Sequence, residues 1–206
     1  MPSSQIKKYR FLYKRTKGDA GKLPWAHKEP TKFLPGIVQK RAPGRALDVG
    51  CGSGVDSVYL AKQGWDVTSL DLVEEPLRMT EERARQEGVK LTIEQADITE
   101  WPNTEQFDVI VDAGVLHNLP KAFRVDHCQR IKSWLKPGGD FVLVHHFKRH
   151  SLDWAPIGPR RVVREDIDDL FAPELTEKGY ETVIFKGLPL IIGKSLAQSY
   201  YWFRHS

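Results

Sequence analysis

Seven residues set the terms for this chain: Asp48-Val49-Gly50-Cys51-Gly52-Ser53-Gly54. Just before and within them, Ala46 to Val49 is a short apolar run broken by one carboxylate, which is the pattern of a buried strand. Alternating glycines then impose a tight turn, and Val55 to Ala61 resumes at helical spacing. A strand that passes through glycines into a helix is the first half of a nucleotide-binding βαβ unit. Glycine omits the Cβ where backbone must lie close to a ligand. The spacing differs from G-x-G-x-x-G, which aims a helix N-terminus at pyrophosphate. With Asp48 two residues ahead of the first glycine, the turn suits a cofactor that has a cationic amino-acid end. The alternative is a glycine turn that serves only strand-helix packing.

The rest of the chain repeats the alternation. Trp65 to Leu70 reads as a second strand ending at Asp71, Val89 to Ile93 as a third, Phe107 to Asp112 as a fourth and Phe141 to Phe147 as a fifth. Helices are expected over Thr31 to Lys40, Glu75 to Gln86, Pro120 to Leu135 and Val162 to Phe171, with Phe123, Cys128, Ile131 and Leu135 facing the core in the third of these. Lys136-Pro137-Gly138-Gly139 reads as the stop of that helix. Glu181 to Phe185 and Gln198 to Phe203 form a closing antiparallel pair. The expected fold is α/β: a Rossmann-like, doubly wound, seven-stranded and mostly parallel sheet with a C-terminal antiparallel hairpin. Ligands in such sheets lie outside the C-terminal strand ends. Polar groups stand at five successive ends: Asp48, Asp71, Asp97, Asp112 and His145. Asp71 follows the glycine turn at the distance of a ribose-binding acid. Asp97 is placed for an adenine amino group, with Ile98 beside the ring.

Charge divides the chain unevenly. Residues 1–45 hold 12 of the 31 Lys and Arg but only 2 of the 27 Asp and Glu. Residues 1–42 are therefore read as a basic arm and helix forming a lid, and 43–206 as the cofactor-binding domain. The arm's Tyr9, Phe11 and Tyr13, with Trp25 from Leu23-Pro24-Trp25, could cover a pocket or pack in the core. Its charge could meet nucleic acid or an acidic partner, or lie on a solvated helix face. Two cysteines, Cys51 and Cys128, make no disulfide framework and have no metal-type spacing. The absence of an apolar leader or membrane-length segment gives a cytoplasmic expectation with no membrane partner.

The ordered motifs LDVGCGSG, VTSLDL, ADI, FDVIVDAGVLHNL and LKPGGDFVLV resemble those of class I S-adenosylmethionine-dependent methyltransferases over residues 44–147. Gly54-Val55-Asp56, Leu60-Ala61 and DAGVLHNLP are similar to a small-molecule branch with thiopurine-type and bacterial quinol or heterocycle methyltransferases. Pro24-Trp25 and Gly158-Pro159-Arg160-Arg161-Val162 extend the likeness. The resemblance implies S-adenosyl-L-methionine as cofactor, contacted by Asp48, Gly50, Cys51, Gly52, Gly54, Asp71, Leu72, Asp97, Ile98, Asp112 and Ala113. The fourth strand ends in DAGV rather than in the N/D-P-P-Y/F of enzymes that methylate bases or amides, which argues against a nucleic-acid partner.

Methyl transfer needs a base only if the acceptor carries a proton, so His117, His145 and His146 are the catalytic candidates. Strand alternation turns only one of His145 and His146 towards the cleft. Trp25, His117, Arg160 and Arg161 are candidates for holding a small-molecule acceptor at O, N or S; the arginines could instead pair on the surface. The rival readings are an RNA or protein methyltransferase that uses the basic arm, and a non-catalytic or nicotinamide-binding relative of the fold. Monomer and homodimer are both compatible with the sequence.

Overall fold

The central sheet buries both its faces, so its strands alternate between two cores rather than between core and solvent. The computed structural model describes residues 3–23, 25–150, 153, 159–188 and 195–206. Pro24 and Gly158, two of the positions singled out above, lie outside the described residues.

The strands are β1 (Arg45–Val49), β2 (Asp66–Asp71), β3 (Thr92–Gln95), β4 (Phe107–Ala113), β5 (Leu135–Phe147), β6 (Leu175–Lys186) and β7 (Ser195–His205). They form one sheet in the order β3-β2-β1-β4-β5-β7-β6. The first five run parallel, and β7 pairs antiparallel with both β5 and β6. This is the expected doubly wound sheet with its terminal hairpin. Helices α1 (Ser3–Thr16), α2 (Leu34–Val38), α3 (Val55–Lys62), α4 (Glu74–Gln86), α5 (Lys121–Trp134) and α6 (Arg164–Phe171) complete the chain.

Alternation is visible residue by residue. Leu47, Ile110, Phe141 and Leu143 point into one core with Ile131, Ile167, Phe171 and Phe203. Ala46, Val109, Val111 and Val142 point into the other with Leu34, Ile37, Val38 and Leu60. Each large buried side chain contributes about 1.5–3 kcal/mol relative to exposure.

Four boundaries differ from expectation. The helix expected over 31–40 shrinks to Leu34–Val38 because Phe33 takes a left-handed φ of 70° and Thr31 is anchored elsewhere. Thr31 donates its N–H and its hydroxyl to Asp56 at 2.6 and 2.5 Å. The third strand lies at Thr92–Gln95, later than expected. Lys136-Pro137-Gly138-Gly139 is not a loop but the bulged start of β5: Leu135 pairs with Phe107, then the register shifts so that Asp140 pairs with Val109. Both hairpin strands extend well beyond their apolar centres.

Candidate active site

At the end of β1 the glycines do three different jobs. Gly50, Gly52 and Gly54 have φ of 69°, 57° and 73°, the left-handed region that side chains disfavour. A Cβ on Gly50 would come 2.3 Å from Val115 Cγ2, so the turn packs directly against the loop after β4. A Cβ on Gly54 would strike Thr80 of α4. Only Gly52 looks outward, and above it lies the Tyr13 hydroxyl, 3.3 Å from where a Cβ would sit.

Asp48 was expected to meet the cofactor's cationic end. Its Oδ2 instead accepts the Ser57 N–H at 3.1 Å and the Ser57 hydroxyl at 2.6 Å, and Ser69 donates to Ser57 in turn. Asp48 thus ties β1, α3 and β2 together beneath the turn, and burial pushes its carboxyl well above the usual range. Cys51 is also buried, its Sγ 3.5 Å from Thr80 Oγ1 and its N–H donated to Leu70 O at 3.0 Å.

Asp71 is different. Its oxygens accept the N–H groups of Val73 at 2.9 Å and Gly52 at 3.3 Å, and burial raises its carboxyl to about 6. Leu72 follows it half-exposed. Asp97 Oδ1 accepts from Thr99 N–H and hydroxyl at 3.0 and 2.8 Å. Ile98 packs into the α5–α6 core.

Asp112 is engaged inside the protein. It is completely buried, and its oxygens accept the N–H groups of Gly114, Val115 and Leu116 at 3.1, 2.6 and 3.2 Å. His127 Nε2 of α5 is 2.8 Å from it. Asp112 folds the loop after β4, and exposed Ala113 is the residue that faces outward there.

That loop carries His117 in a short 3₁₀ turn, Leu116–Asn118. His117 is 5% exposed and meets His146 edge to face, with centroids 4.6 Å apart. Burial drives His117 well below the usual imidazole range and His146 down to about 4. Nδ1 of each is buried without a hydrogen-bond partner. Asn118 Nδ2 donates to Gly114 O at 2.6 Å and lies 3.2 Å from His117 Nε2. That makes His117 Nε2 the acceptor and leaves its proton on Nδ1. His145 points the other way, completely buried and stacked on Tyr201, so it is a core residue. The sequence left this pair unresolved; the structure puts His146 with His117.

Two guanidinium groups border the pair. Arg160 Nη1 donates to Asn118 O at 3.4 Å, and Arg124 Nε to Leu119 O at 3.3 Å. Arg161, expected at the acceptor, is committed to Asp153 at 3.5 Å. Sequence reading missed Arg124, Asn118 and His127. The signal was present: Arg124, His127, Cys128 and Ile131 recur at helical spacing on the buried face of α5, while Phe123 is 39% exposed.

The N-terminal arm packs on α4 and lies over the glycine turn. Tyr9 and Tyr13 of α1 each meet Trp25 edge to face at 5.8 Å. Burial raises Tyr9 to about 12, with Arg160 opposing and Asp71 adding to the rise.

A family model described as a methyltransferase domain matches residues 46–139. The ubiquinone biosynthesis O-methyltransferase of Erwinia tasmaniensis is 33% identical over 125 residues, covering 58% of this chain and 50% of that protein. The chain spans about half the length of the curated relatives it matches. The Burkholderia thailandensis 1,6-didemethyltoxoflavin-N1-methyltransferase, solved with 1,6-didemethyltoxoflavin and S-adenosylhomocysteine, superposes with a TM-score of 0.70 at 21% identity, covering 100% of this chain and 92% of that one. The [4+2]-cyclase SpnF superposes at 0.75 with 18% identity, covering 98% and 96%. At such identities the structural likeness is one of fold. With the motif order and the sheet described above, these matches make the chain similar to the class I S-adenosylmethionine-dependent methyltransferases.

Proposed function

We propose that the protein transfers the methyl group of S-adenosylmethionine to O, N or S of a small aromatic or heterocyclic acceptor. The observation that carries this reading is the contact of two unlike regions through Gly50 and Val115: a glycine turn beside a half-buried acid, and a buried imidazole pair. The residues fit the family's cofactor. The turn offers backbone where side chains would not fit, and Asp71 holds only backbone donors, which leaves lone pairs for ribose hydroxyls. Gly50, Cys51, Gly52 and Gly54 would hold the cofactor through backbone, with Leu72, Asp97, Ile98 and Ala113 along its length. Bound there, the cofactor supplies a methyl group made electrophilic by its sulfonium.

The chain's own work is to position the acceptor and exclude water. His117 presents Nδ1–H to it, and His146 completes the wall. Arg160 reaches the same place, and Trp25 with Tyr9 and Tyr13 roofs it. The arm, residues 1–42, acts as the lid of this reading. RNA and protein acceptors are not adopted, because the methyl-accepting wall is buried imidazole and lies under the arm rather than on its basic outer face. The likeness to a cyclase makes consumption of the cofactor the decisive test. S-adenosylhomocysteine should raise the melting temperature and NAD should not. Incubation of phenols, heterocycles and thiols with S-adenosylmethionine should yield S-adenosylhomocysteine and a product heavier by one methyl group. Stabilisation by NAD alone, or no turnover across the panel, would overturn the reading.

A further inference from the structure

We infer that the acceptor is bound as an anion, a phenolate or a deprotonated ring nitrogen, held by Arg124 and Arg160 against His117. The inference rests on the methyltransferase reading and narrows its substrate class.

Four observations support it. The two guanidiniums hang from consecutive carbonyls of one loop, Asn118 and Leu119, immediately after His117. Arg124 is 8% exposed, an unusual place for a cation, and among the described residues its hydrogen bond is to the Leu119 carbonyl. Among the described residues neither arginine meets a carboxylate at ion-pair distance. The acid whose field Arg124 feels, Asp166, lies towards Lys121, 3.9 Å away. Arg124 and Arg160 also repel each other, and Arg124 acts on His117 in the same sense as His145 and His146. Two like charges gathered beside a buried neutral imidazole leave a local excess of positive potential, and burial makes an unpaired cation costly. An anionic ligand removes that cost.

The imidazoles point the same way. Neither His117 nor His146 is basic enough at neutral pH to draw a proton from a weak acid, and Asn118 already occupies the acceptor nitrogen of His117. A guanidinium-lined wall removes the need for a base by favouring the ionised acceptor before reaction. The acceptor's anion forms the bond to the methyl carbon as the carbon–sulfur bond breaks and its electron pair passes to sulfur. One negative and one positive charge cancel, and no proton has to be removed.

The test uses 4-nitrophenol, whose anion is yellow and whose neutral form is colourless, added to protein saturated with S-adenosylhomocysteine. The bound probe should favour its anion by about tenfold or more relative to water, the effect of an opposite charge at close range. Arg160→Gln, at an exposed position, should abolish that preference while S-adenosylhomocysteine affinity stays within about twofold. Arg124→Gln should do the same, with Arg124→Lys restoring part of it. A probe that titrates as in water, is held neutral or does not bind overturns the proposal, as does a preference that survives Arg160→Gln. Failure of the wild-type protein to bind S-adenosylhomocysteine overturns the methyltransferase reading itself, and is seen before the probe is added.

Discussion

Asp71 and Asp112 are both carboxylates at the C-terminal end of a parallel strand, yet their surroundings differ. Asp112 receives three backbone N–H groups and faces His127 inside the protein. Asp71 receives two, at the edge of the glycine turn. One acid is consumed by folding and the other is left with capacity for a ligand. The same contrast divides the site. The β1–β2 side presents backbone and acid, whereas the β4–β5 side presents imidazole and guanidinium. A strand-end acid therefore marks a ligand only when its hydrogen-bonding capacity is unspent.

Substitutions at the two acids should break the comparison if it is wrong. Asp112→Ala removes the partner of four donors, two of them buried, and should cost about 3–5 kcal/mol, the scale for disrupting a buried charged network. In a chain of this size that lowers the melting temperature by roughly 6–20 °C. Asp71→Ala should leave the melting temperature of the free protein nearly unchanged and weaken S-adenosylhomocysteine by about 1–3 kcal/mol in calorimetric titration. The reverse pattern, with stability lost at Asp71 and cofactor affinity at Asp112, would exchange their roles.

The histidines sharpen the same contrast. His117→Ala should lower turnover by roughly 5- to 150-fold, the worth of about 1–3 kcal/mol of lost hydrogen bonding. His145→Phe, which keeps the ring stacked on Tyr201, should change turnover by less than about threefold. Equal losses in both would return His145 to the site.

The smallest effect is a pH dependence. Burial holds the Asp71 carboxyl near 6, above its ordinary value, so the ligand-free protein takes up a proton there as pH falls through that point. The protonated acid accepts fewer hydrogen bonds, and S-adenosylhomocysteine affinity should fall below pH 6 by up to about tenfold per pH unit. Asp71's effect on folding has the opposite sign: being harder to ionise in the fold than in the unfolded chain, it opposes folding above about pH 6 and ceases to do so as pH falls towards 4. Asp71→Asn should flatten the binding profile between pH 5 and 7.

Much of this was legible before any coordinates. The glycine turn, the five parallel strands and the hairpin follow from apolar runs and punctuation, because buried strands and left-handed turns leave few residue choices. The internal partners of Asp48 and Asp112 were hidden for one reason. Sequence places a carboxylate at a strand end but does not reveal which N–H groups the next turn folds back onto it. Strand periodicity showed that His145 and His146 face opposite ways, and only packing on Tyr201 decided which is which. Arg124 was hidden because charge is ordinarily assigned to the outer face of a helix. The strand inside Lys136 to Asp140 was hidden because proline and glycine usually end pairing rather than bend it.

Tyr9 and Tyr13 stand about one helical turn apart on α1, one within reach of the fields of Arg160 and Asp71, the other above Gly52. A rigid helix cannot uncover the glycine turn without also altering the surroundings of Arg160. Under the proposed function, cofactor and acceptor would share one door, and whichever bound first would meet the other through it. Whatever factor the cofactor applies to the acceptor's affinity, the acceptor applies to the cofactor's. On that reading, exchange of spent cofactor and release of product would become a single event, timed by the opening of α1.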